Sequence, residues 1–165
     1  MKKIVIVDGY NVIRRNTSLE RSSLIAAREA LAGAIAAFLV RRKIFDEAVI
    51  VFDGKGEAVS TERYAASQRI RIVFSDRKAD ADEVIRSLMR RSCGAARITA
   101  VSDDTSVTNG ARALGADVLS TGEFVRMLGM SSAKKKIGSP VRYEEKAIDP
   151  RIRDDINEEL KKIWL

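Results

Sequence analysis

The sequence predicts an α/β fold, a sandwich with a mostly parallel central sheet, followed by a C-terminal helical extension. Three observations support this. Short apolar runs alternate with stretches in which apolar residues recur at helical spacing. Several of the apolar runs end at an aspartate, and the composition becomes polar and basic after residue 130.

Five apolar runs are predicted strands, because strands buried on both faces of a parallel sheet are continuously apolar. They are 3–7, 48–52, 70–74, 98–102 and 116–119. The third differs, since Ile70, Ile72 and Phe74 alternate with more polar positions. This alternation predicts one wetter face and a place at the edge of the sheet.

Four segments between and after the strands are predicted helices. They are 20–42, 80–93, 105–114 and 121–130. Thr17–Glu20 and Ser120–Glu123 have the spacing of a capping box, and Gly115 is placed to end the third helix. The polar segments 54–68 and 75–79 are predicted loops. The alternation of strand and helix favours right-handed crossovers between parallel strands.

Residues 1–130 form the predicted main domain, and residues 131–165 form an extension with two parts. The first part is a flexible basic linker that contains Lys134, Lys135 and Lys136. The second is a helix over 151–164, whose apolar face carries Ile152, Ile156, Leu160 and Ile163. This face either folds back on its own domain or docks on a partner or a second subunit, which would make a homodimer.

The 165 residues include no histidine, which restricts the chemistry that the chain can perform. Ser-His-Asp and Cys-His catalysis are excluded, as is acid–base chemistry by imidazole. The single cysteine, Cys93, excludes an internal disulfide and a cysteine-based zinc site. Its position in a helix predicts a small buried side chain rather than a nucleophile. Any metal site must therefore use oxygen ligands.

Basic residues outnumber acidic ones, with 30 Lys and Arg against 23 Asp and Glu and a net charge of +7. A basic chain favours polyanionic partners such as nucleic acid, although the charge could equally serve only solubility. No apolar run reaches the roughly 18 residues that a membrane span needs, and no secretory signal is recognisable. We therefore expect a cytoplasmic protein that does not associate with membranes.

Three predicted strands are followed by an aspartate, namely Asp8, Asp53 and Asp103. The carboxyl ends of parallel strands lie along one edge of a sheet, so these side chains are expected to meet. Clustered like charges repel each other, and Mg²⁺ or Mn²⁺ is the natural partner of an all-oxygen set. Each aspartate could instead be an ordinary turn residue. Asn11 favours a site because its amide can orient Asp8 or a ligand, although an Asx-turn is its alternative role.

Acidic residues also open two predicted helices, namely Asp80, Asp82, Glu83 and Asp104. Carboxylates in a first helical turn are stabilised by the helix dipole, so Asp80 and Asp104 could be caps and nothing more. Asp82 is the preferred metal ligand of its helix, because the buried face lies beside it, and Glu83 is second. Asp103 is preferred over Asp104 because it directly follows the apolar run.

Four segments occur in a recognisable order: Ile-Val-Asp-Gly-Tyr-Asn-Val-Ile (6–13), Val-Phe-Asp-Gly (51–54), Ala-Asp-Glu-Val-Ile (81–85) and Val-Ser-Asp-Asp (101–104). This set resembles the NYN nuclease domain in its YacP-like branch, within the PIN-like superfamily, over roughly residues 3–130. The resemblance implies a PIN-like fold, which is a three-layer α/β/α sandwich with a central parallel sheet. It also implies Mg²⁺ or Mn²⁺ held on clustered acids, and cleavage of RNA.

By position, Asp8 resembles the first-strand acid of the family, and Asn11 resembles its companion. Asp53 corresponds to the second-strand acid, Asp82 to the acid at the helix start, and Asp103 to the fourth-strand acid. Glu83 and Asp104 stand beside motif positions and are further candidates for metal binding. The predicted activity is that of a metal-dependent endoribonuclease in the turnover of mRNA or ribosome-associated RNA. Arg14, Arg15 and Lys55 are candidates to hold flanking phosphates, together with the lysines of the linker.

Three other functions compete with this prediction. One is a non-catalytic module that binds RNA or the ribosome with the same fold. Another is a phosphatase-like α/β domain with Asp8 as nucleophile, although Tyr10 stands where a haloacid-dehalogenase-type enzyme has its second acid. The third is a toxin of the PIN type.

Overall fold

The computed structural model describes residues 1–130, in which six strands form a single sheet with helices on both faces, as predicted. The elements are β1 (Lys2–Asp8), α1 (Gly9–Arg15), α2 (Thr17–Glu20), α3 (Leu24–Arg42), β2 (Glu47–Gly56), β3 (Ser60–Arg63), β4 (Ile70–Asp76), α4 (Ala81–Ser92), β5 (Ala96–Val101), α5 (Thr105–Ala113), β6 (Asp117–Leu119) and α6 (Thr121–Met127). The predicted basic linker and final helix are not among the described residues. No helix within residues 1–130 has the length and apolarity to cross a membrane.

The strand order is β3-β4-β2-β1-β5-β6, and every pairing is parallel except that of β3 with β4. This order places β1 between β2 and β5. Asp8 pairs in register with Val51, and Val7 pairs with Val101. The carboxyl ends of the three central strands therefore lie side by side, as the parallel topology requires for a shared ligand edge.

Both faces of the central strand are buried, which explains why its sequence is continuously apolar. Val5 and Val7 belong to one core cluster with side chains of α1, α2, α3 and α6. Ile4 and Ile6 belong to a second cluster with α4 and α5. Full burial of each such side chain contributes about 1.5–3 kcal/mol, so the two layers hold the sheet edge in place.

The predicted loop 54–68 is partly wrong, because β2 continues to Gly56 and a short strand, β3, pairs antiparallel with β4. β4 is therefore an interior strand and not the edge that its alternating pattern predicted. All four residues of β3 are exposed, so its sequence carries no apolar alternation that would reveal a strand.

The predicted turn after β1 is a helix, since α1 begins at Gly9 directly after Asp8. The capping box expected at Thr17 is also wrong. Asn16 caps α2 by accepting a hydrogen bond of 3.1 Å from the backbone N–H of Leu19, and Ser23 caps α3. Asparagine and threonine are both preferred N-cap residues, so the sequence alone does not distinguish Asn16 from Thr17.

Other predicted helix ends are confirmed. Asp80 and Asp104 each accept hydrogen bonds from backbone N–H groups in the first turns of α4 and α5. Ser120 opens α6 with a complete capping box. Gly115 has a φ of +74°, the left-handed conformation that glycine adopts most easily.

The expectation of a buried Cys93 is wrong. Cys93 is exposed and is the C-terminal capping residue of α4, which ends before Gly94 at a φ of +84°. A position beyond the last helical turn no longer follows the helical burial pattern, and this is why the residue faces solvent.

Candidate metal and phosphate site

Asp8 is a buried carboxylate at the end of β1, with only 8% of its surface exposed. Burial raises the pKa of Asp8, while hydrogen bonds from Asn11 and Ser102 oppose that shift. Asn11 Nδ2 lies 3.3 Å and Ser102 Oγ lies 3.1 Å from Asp8 Oδ2. The Asn11 amide also donates to Ser102 Oγ over 3.3 Å. Two polar groups therefore hold this carboxylate in one orientation.

Asp53 lies within β2 and ties the sheet to the start of α4. Its Oδ1 accepts hydrogen bonds from the backbone N–H of Ala81, at 2.7 Å, and from Ser75 Oγ, at 3.4 Å. A Cβ at Gly54 would lie 2.5 Å from the carbonyl oxygen of Ser75, so only glycine allows β2 and β4 to approach this closely. The contact with Ala81 places the next residue, Asp82, over the sheet edge.

Asp82 is the carboxylate with the most negative surroundings. Burial and the nearby carboxylates of four aspartates raise its pKa to about 6. In order of decreasing effect, these are Asp104, Asp8, Asp80 and Asp53. Within residues 1–130 no Lys or Arg forms an ion pair with Asp82. The structure thus brings acidic side chains from four separate parts of the sequence close enough to Asp82 to affect its charge.

Asp103 and Asp104 are adjacent in sequence but have different surroundings. Partial burial opposes the shift, but hydrogen bonds from Thr121 and Arg15 hold the pKa of Asp103 below its usual value. Arg15 Nε lies 3.0 Å from Asp103 Oδ2. Asp104 uses Oδ1 to cap α5 and acts on Asp82. Asp104, and not Asp103, is therefore among the four acids that raise the pKa of Asp82.

Glu83 points toward basic residues and not toward the acidic cluster. Hydrogen bonds from Arg90, together with the charge of Arg86, lower the pKa of Glu83. The nearest nitrogens of Arg90 and Arg86 lie 2.7 and 3.0 Å from its carboxylate. The negative charge of Glu83 is therefore balanced by two arginines on the same helix.

The basic residues proposed to hold phosphates are distributed around the same edge. Arg14 is exposed, Arg15 is paired with Asp103, and Lys55 lines a cavity of about 400 Å³ beside Asp53. Lys134, Lys135 and Lys136 are not within the part of the chain that the structure describes. Arg77 borders the same cavity, and its Nε donates to the Lys55 carbonyl oxygen over 2.9 Å.

The donor set of the acidic cluster has the chemistry that a hard divalent cation requires. It consists of carboxylate oxygens, and four neighbouring aspartates add to the effect of burial in raising the pKa of Asp82. Oδ2 of Asp53 and Oδ2 of Asp104 accept no hydrogen bond from residues 1–130. As the side chains stand, no three acidic groups in the described region converge as a ready ligand set.

Some contributors to the site have no clear signal in the sequence. Ser75 supports Asp53 from β4, and only the pairing of β2 with β4 brings them together. Arg77 and Arg28 reach the same end of the sheet from a loop and from α3. Ser102 lies within the Val-Ser-Asp-Asp segment, and the Ala27–Arg28 pair also fits the family resemblance. Their contacts with Asp8 and Tyr10 depend on elements that are distant in sequence.

Comparison with known proteins identifies the family of this chain. The sequence matches the YacP-like NYN domain family over residues 5–164. The chain belongs to the YacP-like NYN family. The match includes most of the C-terminal extension, which the motif resemblance left outside its span. A search of curated proteins found no match.

Solved structures show the same fold. The crystal structure of a mutant of Rae1 (YacP) from Bacillus subtilis is 25% identical to this chain, with a TM-score of 0.61 over 78% of this chain and 76% of that one. A second crystal structure of Rae1 (YacP) from the same organism is 21% identical, with a TM-score of 0.61, and covers 96% of this chain and 82% of that one. The predicted α/β fold and the predicted YacP-like family are confirmed, and membership of this family supports a nuclease function.

Proposed function

We propose that this YacP-like NYN protein is a Mg²⁺- or Mn²⁺-dependent endoribonuclease that hydrolyses phosphodiester bonds at the carboxylate cluster around Asp82. The observation that carries this proposal is a partly buried Asp82 surrounded by four other aspartates, where burial and the neighbouring charges raise its pKa to about 6. A buried excess of like charge is unfavourable for folding, and such sites are often functional. The family membership supports a nuclease, and the net charge of +7 supports RNA as a polyanionic substrate.

The residues that would hold the cation are Asp8, Asp82 and Asp104, with Asp53 beside them. A divalent ion supplies Lewis-acid stabilisation of charge on the phosphate and generates hydroxide from water at neutral pH. The chain does the positioning. Asn11 and Ser102 orient Asp8, while Asp53 holds the first turn of α4 and thereby Asp82. Asp103, which the motif pattern favours as a ligand, would hold Arg15 beside the site.

The bound RNA would be held by cations around the edge. Arg14 and Lys55 would contact phosphates near the acidic cluster, and Arg15, which is paired with Asp103, would lie beside them. Lys134, Lys135 and Lys136 stay a prediction of the sequence, as does a homodimer through the C-terminal helix. A cytoplasmic role in the turnover of mRNA or of ribosome-associated RNA is the one that we propose from the family resemblance.

The test uses purified full-length protein with single-stranded RNA, in Mn²⁺ and in EDTA. Wild type should cleave in Mn²⁺ and not in EDTA. Asp8→Asn should reduce kcat by roughly 100- to 1,000-fold, because it removes a charge that stabilises the reacting phosphate through the cation. Asp117→Asn is the matched control, since Asp117 is exposed and paired with Arg97 away from the site.

Full activity of Asp8→Asn would contradict the assignment of the site. Tight RNA binding by wild type without cleavage in Mn²⁺ would instead favour the non-catalytic RNA-binding module. Circular dichroism of each variant distinguishes loss of the site from loss of the fold.

A further inference from the structure

Arg28 on α3 lies in surroundings that are unusual for a cation, and the proposed mechanism does not use it. Its guanidinium carbon lies 5.5 Å from the ring centroid of Tyr10, 5.4 Å from that of Phe52 and 5.0 Å from that of Phe74. Its Nε donates a hydrogen bond of 3.1 Å to the Tyr10 hydroxyl, and a terminal nitrogen donates to the same oxygen. Among residues 1–130 no carboxylate forms an ion pair with this half-buried side chain.

The tyrosine that this guanidinium holds belongs to the Asp-Gly-Tyr-Asn segment that follows β1. The Tyr10 ring packs on Phe52 with 4.9 Å between centroids. A Cβ at Gly9 would lie only 2.3 Å from the Phe52 ring, so the backbone itself rests on that ring. The next residue, Asn11, donates to Asp8. A short and closely packed path therefore leads from the guanidinium to the Asp8 carboxylate.

The packing of α3 does not require an arginine at position 28. The helix is anchored by side chains that are at most 1% exposed, namely Leu31, Ile35, Phe38 and Leu39. Partial burial of a guanidinium has a desolvation cost that an apolar side chain would avoid. What only arginine supplies is a planar fork that stacks on rings and donates twice to one hydroxyl.

We propose that Arg28 is a positioning residue for the Asp8 site, which fixes the start of α1 through Tyr10 and thereby the contact between Asn11 and Asp8. This inference rests on the proposed function for its kinetic consequence. α1 has seven residues, and so short a helix depends on tertiary contacts for its orientation. A fixed Asn11 amide keeps the Asp8 carboxylate turned toward the acidic cluster.

The kinetic test compares Arg28→Met, Tyr10→Phe and the double variant on single-stranded RNA in Mn²⁺. Arg28→Met keeps the length of the side chain but loses the fork, and Tyr10→Phe keeps the ring but loses the hydroxyl. Each should lower kcat by about 10- to 100-fold, the loss expected from a small misplacement, with KM changed less than about twofold. The double variant should be no worse than the poorer single variant, because both break one path. Arg41→Met, in the exposed last turn of α3, is the control and should match wild type.

An unchanged kcat in Arg28→Met would overturn the proposal. A raised KM with an unchanged kcat would also overturn it, since Arg28 would then be a direct phosphate contact. Losses that multiply in the double variant would show that the two residues act separately.

A second measurement does not depend on activity. In ¹H–¹⁵N NMR spectra of the metal-free protein, the side-chain amide signals of Asn11 should shift in Arg28→Met and Tyr10→Phe but not in Arg41→Met. Unmoved signals in Arg28→Met would overturn the positioning role. If wild type fails to cleave RNA while these signals shift as expected, the proposed function fails and the role of Arg28 in placing Asn11 stands.

Discussion

Two groups of carboxylates lie near the same end of the sheet, and only one of them is balanced by cations. Asp103 and Glu83 form ion pairs with neighbouring arginines, and both have lowered pKa values. Asp82 has no such partner within the described residues, and burial together with four other aspartates raises its pKa to about 6. A local excess of negative charge, rather than the number of acids, thus distinguishes the candidate site from ordinary surface pairs.

The adjacent pair Asp103 and Asp104 shows the difference most clearly. Asp103 is bound by Arg15 and Thr121, whereas the next residue, Asp104, repels Asp82. The two side chains have different partners because Asp104 is the N-cap of α5 and accepts hydrogen bonds from the N–H groups of its first turn. Capping and cation binding are compatible for Asp104, since its cap uses only Oδ1.

The largest expected effect separates these two residues by mutation. Asp104→Asn should lower kcat on RNA by roughly 100-fold through loss of charge, with little change in stability because asparagine caps helices as well as aspartate. Asp103→Asn should lower kcat by less than about tenfold but reduce the free energy of unfolding by about 1–2 kcal/mol, through its weakened bonds to Arg15 and Thr121. Urea denaturation and single-turnover cleavage measure the two quantities. A larger activity loss in Asp103→Asn would restore Asp103 as the metal ligand that the motif pattern favours.

The next effect is the pH dependence of cation binding. Asp82 must lose its proton to bind a metal, so the apparent affinity for Mn²⁺ should fall as the pH drops through about 6. The fall should approach tenfold per pH unit for one displaced proton. Calorimetric titration of wild type with Mn²⁺ between pH 5 and 8 measures it. An affinity that stays constant over this range would show that Asp82 does not bind the ion.

The smallest effect is on stability without metal. The folded-state pKa of Asp82 lies above the usual value of 3.8, so the folded state binds more protons and loses stability as the pH rises from about 4 to 6. In EDTA at pH 8, Asp82→Asn should therefore increase the free energy of unfolding by about 1 kcal/mol, after allowance for partial exposure to solvent. The gain should vanish below pH 4, whereas Asp117→Asn should show no such gain. A destabilised Asp82→Asn at pH 8 would contradict the repulsion among the five acids.

Much of the fold could be predicted because burial leaves a direct trace in the sequence. The continuous apolar runs of β1 and β2 mark strands covered on both faces, and the aspartates after them mark the ligand edge. The exposed strand β3 has no such trace, and its pairing with β4 depends on backbone hydrogen bonds that any sequence can form. The helix α1 is hidden for another reason, because it begins within a segment whose Asp-Gly and Asn residues favour turns.

The sequence by itself determined the inventory of the candidate site: clustered acids, no histidine, and a YacP-like order of motifs. The tertiary structure alone decided which acids face one another and which are balanced by arginines, and it brought Arg28 to Tyr10 from 18 residues away. The physical reason is that hydrophobic periodicity reports burial, a property of each segment. Charge compensation and side-chain stacking instead depend on distances between segments, and these exist only once the sheet has assembled.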